Sequence, residues 1–154
     1  MTPTLLEELR QTKPFASLEE EALLSIVRTS AVLLDEFEQK LRPSGITATQ
    51  YNVLRILRGS EPDGLCRNEL RDRMLTRMPD VTRLLDRMEK AGLVERARGG
   101  EDRRMVGTRI TKEALRLLAK LDKVVTDDQK QRFQGVTAKQ LQSLIDVLDR
   151  VRQR

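Results

Sequence analysis

Apolar residues recur at helical spacing along most of this chain, and the interruptions of that rhythm mark its elements. The first sixteen residues, broken by Pro3 and Pro14, read as a loosely held arm. Ser17 and Glu20 have the spacing of a capping box, and Leu18, Ala22, Ile26, Leu33, Phe37 and Leu41 then fall on one stripe, ended by Pro43-Ser44-Gly45. Thr47 and Gln50 open a second helix through Tyr51, Leu54 and Leu57 to Gly59, and a turn cluster with Pro62-Asp63 follows. A short third helix is predicted over 66–74, with Cys66 in the capping position, Glu69 three residues on, and Leu65 and Leu70 spaced as a hydrophobic staple.

The fourth helix is predicted over 78–91, with Pro79 in its first turn, Val81, Leu84, Leu85 and Met88 as its stripe, and Gly92 as the left-handed stop. Two short strands, 93–98 and 105–110, flank a loop around Gly99-Gly100. A long helix opens at Thr111, carries Leu115, Leu118 and Leu121, and breaks near Gly135. The last opens at Thr137 with Gln140, and Leu141, Leu144, Ile145, Leu148 and Val151 line it. Short helix, turn, helix and β-hairpin make a winged helix-turn-helix. The expected fold is mainly α with a small β-hairpin: an arm over 1–16, then a single domain over 17–154. In that domain dimerisation helices (about 17–42 and 111–152) flank a DNA-binding lobe (about 47–110). Their apolar stripes exceed what a lone winged lobe could cover.

Composition narrows the function. Aromatics are 3% of the 154 residues and Trp is absent, so the core is aliphatic. Lys plus Arg is 29 against 24 acids, a net charge of +5, which favours polyanionic partners. There is no His, and the single Cys excludes an internal disulfide or a Cys-cluster metal site; no cofactor or metal is expected, and no catalytic constellation assembles. The N-terminal residues lack a signal-peptide profile and no apolar run could span a bilayer, so a cytoplasmic, membrane-free protein is expected.

A helix that enters the major groove needs an apolar face for its own domain and a polar face for DNA. Opposite the fourth helix's stripe stand Asp80, Thr82, Arg83, Asp86, Arg87 and Lys90, with Arg83, Arg87 and Lys90 on one side. Alone, that face could be a solvated one with Asp86 and Glu89 as partners. The loop beyond it changes the balance. Arg96, Arg98, Arg103 and Arg104 cluster about the Gly-Gly tip, suited to a narrow minor groove, with Asp102 as an orienting partner.

The run Asp80-Val-Thr-Arg-Leu-Leu-Asp-Arg-Met-Glu-Lys-Ala-Gly-Leu-Val-Glu-Arg, then Glu101-Asp-Arg-Arg and Arg109-Ile-Thr, resembles the MarR family of bacterial transcriptional regulators, most densely over 68–111. The resemblance implies a homodimer on pseudo-palindromic double-stranded operators that often loosens when a small, frequently aromatic or phenolic, ligand binds; the expected role is that of a sequence-specific repressor. By motif position Thr82, Arg83 and Arg87 resemble recognition-helix contacts. Arg103 and Arg104 belong to the wing, Arg104 being similar to the residue that enters the minor groove. Phe37, Leu41 and Tyr51 are the candidate ligand pocket. Cys66 replaces the usual hydroxyl cap and is expected to be structural; Ala114 stands where many members have Gly. The rival readings are a winged-helix module that binds proteins and a non-specific architectural DNA binder.

Overall fold

The computed structural model describes residues 3–97 and 107–153. The order is α1 (Leu5–Glu8), α2 (Leu18–Leu41), a 3-10 turn (Arg42–Ser44), α3 (Ala48–Arg58), α4 (Arg67–Arg73), α5 (Val81–Lys90), β1 (Val94–Ala97), β2 (Gly107–Ile110), α6 (Lys112–Arg132) and α7 (Ala138–Arg152). This is the mainly helical, winged helix-turn-helix fold expected from the periodicity.

Side-chain caps fix most helix starts. Thr47 with Gln50 and Thr137 with Gln140 form complete capping boxes. Ser17 Oγ accepts the Glu20 N–H, but the Glu20 carboxylate reaches one residue further back, to the Ala16 N–H, so that box is displaced by one position. The arm itself holds one helical turn, α1, closed by a Thr4–Glu7 box and tied to α2 through Glu8 and Arg28 at 3.4 Å.

The core gathers on α3 and the winged lobe. Val53, Leu54, Leu57, Leu70 and Met88 are fully enclosed, with Leu84, Leu85, Val94 and Ile110 beside them and Ala114 and Leu118 of α6 below. Burial of each such aliphatic side chain contributes about 1.5–3 kcal/mol. β1 and β2 pair antiparallel with Val94 opposite Ile110, and Leu65 adds a bridge to Thr108. That bridge dictates Gly64: φ is +73°, and a Cβ there would lie 2.6 Å from the Thr108 carbonyl oxygen. Arg58 and Asp122 close a forked ion pair at 2.9–3.1 Å that joins α3 to α6.

The terminal helices differ. α7 has no buried residue, and α2 buries only Leu41, at its C-terminal end. Leu23, Ile26 and Val27 on α2 and Leu144, Ile145, Val147 and Val151 on α7 are exposed within one chain. Among the described residues, no helix is long and apolar enough to cross a membrane.

Candidate nucleic-acid interface

Helix α5 starts later than its sequence suggests. Pro79 lies outside it, and Asp80 is the N-cap, its Oδ1 accepting the Arg83 N–H at 3.0 Å. The cause is local competition. A residue before proline is disfavoured in the helical region, which keeps Met78 out, while an Asp side chain satisfies an orphan amide that proline cannot help. At the other end the Gly92 N–H bonds the Glu89 carbonyl and the Leu93 N–H bonds the Met88 carbonyl, a Schellman closure with Gly92 at φ +73°.

Between these ends α5 is sharply two-faced. Val81, Leu84, Leu85 and Met88 are buried, whereas Thr82, Arg83, Arg87, Glu89 and Lys90 are exposed. The Arg83 side chain keeps 85% of its surface in solvent while its Nε pairs with Asp80 Oδ2 at 3.1 Å. Asp80 therefore both caps the helix and pairs with the exposed Arg83 side chain. Among the described residues, Arg87 and Lys90 have no ion-pair partner.

Asp86 and Glu89 are taken by Arg96, which the sequence groups with the cations about the Gly-Gly tip but the structure does not. From β1 it packs back against α5: Nη1 meets Asp86 Oδ1 at 2.8 Å, Nε lies 3.9 Å from Glu89, and Nη2 donates to the Thr82 carbonyl at 3.3 Å. Only 22% of its side chain is exposed. Asp86 and Glu89 are thus partners of Arg96 rather than of Arg83, Arg87 and Lys90. A residue missed from sequence joins the same face. Arg67, the first residue of α4, donates from Nη1 to Thr82 Oγ1 at 3.2 Å. Its position beside the Cys66 cap was the available signal. Asp102, Arg103 and Arg104, with Arg98, lie outside the described residues.

At the α4 start, Glu69 accepts the Cys66 N–H at 2.9 Å, and that backbone hydrogen bond, with a smaller contribution from the Cys66 side chain, draws its carboxyl below the usual range. The candidate pocket is partly as expected. A groove of about 430 Å³ runs between α2, α3 and α6, with Leu33, Phe37, Tyr51, Arg55 and Phe133 on its walls. Phe37 and Tyr51 meet edge to face at 5.2 Å. Leu41 does not reach the groove; it is 1% exposed, in the core where α2 ends against α3. Burial raises the Tyr51 phenol above its ordinary pKa, opposed by Arg55.

These elements define a winged helix-turn-helix with an outward cationic helix face. A family model described as the MarR family matches residues 44–105. A MarR transcription factor from Planctomyces limnophilus is 34% identical over 88% of this chain and 98% of its own, with a TM-score of 0.64. AbsC, a MarR family transcriptional regulator from Streptomyces coelicolor, is 22% identical over 92% and 97%, with a TM-score of 0.80. MepR from S. aureus, in a complex with DNA, is 21% identical over 83% and 93%, with a TM-score of 0.76. The chain belongs to the MarR family.

Proposed function

We propose that this protein is a sequence-specific, double-stranded DNA-binding transcriptional regulator, a repressor that acts as a homodimer on a pseudo-palindromic operator. The observation that carries this reading is α5, with four buried apolar residues on one side and Thr82, Arg83, Arg87 and Lys90 exposed on the other. Arg83 and Arg87 read base edges in the major groove, Thr82 contacts the backbone, and Arg103 and Arg104 engage the adjacent minor groove with Asp102 as orienting partner. MepR, which shares this fold, forms a complex with DNA, and that supports the same use of the fold here.

The exposed apolar residues of α2 and α7 supply the dimer contact and set two recognition helices roughly 34–36 Å apart, one turn of DNA. The groove beside Phe37 and Tyr51 receives the effector, a small aromatic or phenolic compound, with Arg55 at its wall to attract a phenolate or carboxylate. No catalysis is assigned. Selection of bound sites from random duplex DNA tests the function directly. Recovery of an inverted repeat is the expected result; a pool without sequence enrichment favours an architectural binder, and no retained DNA defeats the reading.

A further inference from the structure

Besides the apolar core that β1 and α5 share, a polar side chain joins them, Arg96, and its surroundings are unlike those of a DNA-facing cation. It leaves β1 at the position opposite Thr108, turns under α5 and spans three groups of that helix: Asp86 at 2.8 Å, the Thr82 carbonyl at 3.3 Å and Glu89 at 3.9 Å. Its Nε is buried with no hydrogen-bond acceptor, the one such side-chain atom among the described residues. Its contacts to Asp86 and to the Thr82 carbonyl seat the guanidinium against α5, with only 22% of the side chain exposed. The Thr82 it touches also accepts from Arg67, so α4, α5 and β1 converge on the first turn of the recognition helix.

We propose that Arg96 is a positioning residue for DNA recognition: through Asp86 and the Thr82 carbonyl it fixes the angle between the recognition helix and the β-ribbon. It acts through its neighbours without touching DNA. This rests on the DNA-binding reading above, and it makes a counter-intuitive demand of Asp86. If Asp86 were merely an acid near phosphates, its removal would strengthen binding by reducing repulsion. If it anchors Arg96, its removal weakens binding.

The test is a double-mutant cycle of Arg96→Gln and Asp86→Asn in the full-length protein. Affinity is measured for an operator recovered by the selection above and for random-sequence duplex, with the active fraction titrated and helical content checked by circular dichroism. Each single variant should bind operator more weakly, the double variant no more weakly than the poorer single, and the coupling between the two should be about two- to 160-fold, the range for interacting neighbours. The ratio of operator to random-duplex affinity should fall in all three, and Arg96→Lys should recover part of it. Tighter or unchanged binding by Asp86→Asn overturns the proposal, as do losses that multiply in the double variant. An equal loss on operator and random duplex makes Arg96 a phosphate contact and also overturns it. If the unmutated protein binds no duplex, the DNA-binding reading fails; if it binds and Arg96→Gln binds equally, only the positioning role fails.

Discussion

The winged lobe and the terminal helices use the same aliphatic residues in opposite ways. In the lobe, Leu54, Leu57, Leu70 and Met88 are completely enclosed by elements of the same chain. On α7 the equally regular series Leu144, Ile145 and Val151 remains roughly half exposed. Helical periodicity of apolar residues says that a face will be covered, not what covers it. The lobe is covered by its own hairpin and by α6; the stripes of α2 and α7 are left uncovered within one chain, and they are the faces proposed above as the dimer contact.

The largest effect should come from breaking that cover. Leu144→Asp with Ile145→Asp places two charges in the proposed dimer contact. Sedimentation should show a monomer, and operator affinity should fall by about 10²–10⁴-fold, because the second half-site no longer gains from linkage to the first. The lobe should retain its helical signal. A dimer with unchanged affinity would show that the exposed stripe of α7 plays no part in assembly.

Next in size is the lobe's own core. Leu57→Ala removes a fully buried side chain from the last turn of α3 and should cost about 2–5 kcal/mol in urea unfolding. Leu144→Ala should behave differently in kind. Its loss should depend on protein concentration, since a dimer contact stabilises by mass action. Equal, concentration-independent losses at both positions would erase the distinction between the two regions.

A third experiment concerns the face that the lobe's core supports. Arg83→Ala should lose about 1–3 kcal/mol of discrimination at one symmetric base pair per half-site, read by competition against operator point mutants. Arg83 is 85% exposed and its partner Asp80 lies at the helix start, so fold stability should change little. A uniform loss across all operator mutants would make Arg83 a phosphate contact.

How far the sequence was legible follows from the range of each interaction. Helices and their caps depend on residues three or four apart, so Thr47 with Gln50 and Thr137 with Gln140 could be read directly. The Thr4–Glu7 box is equally local, but Pro3 and Pro14 bracket so short a segment that the helical turn it caps leaves no apolar periodicity to read. At α5 two local signals competed, Pro79 inside the helix or Asp80 capping it, and only the geometry of the turn decides. Tertiary placement was less accessible. Leu41 shares a stripe with Phe37, but the end of α2 turns it into the core and away from the groove. Arg96 carries the charge of a DNA contact. Its commitment to Asp86 arises only when the strand folds back against the helix, ten residues apart in the chain.

The smallest effect, and the sharpest check on that local legibility, lies at Cys66. The residue begins α4 in extended geometry, φ −73° and ψ 164°, the conformation of an N-cap, while the short helix behind it holds Leu70 in the core. Glu69 satisfies the Cys66 N–H, and its depressed pKa gives the sign of a pH effect. The carboxylate's contribution is present above its unfolded pKa and is lost as pH falls through the lower, folded value. Serine offers a better capping oxygen than sulfur and should preserve that reciprocal contact. Cys66→Ser should therefore leave operator affinity unchanged and shift stability by no more than about 0.5 kcal/mol, toward greater stability. The acid limb of its stability-versus-pH curve should overlay that of the unmutated protein, whereas Glu69→Gln should flatten it. If peroxide releases the unmutated protein from operator DNA and Cys66→Ser is insensitive, the thiol is a sensor and its capping role is incidental.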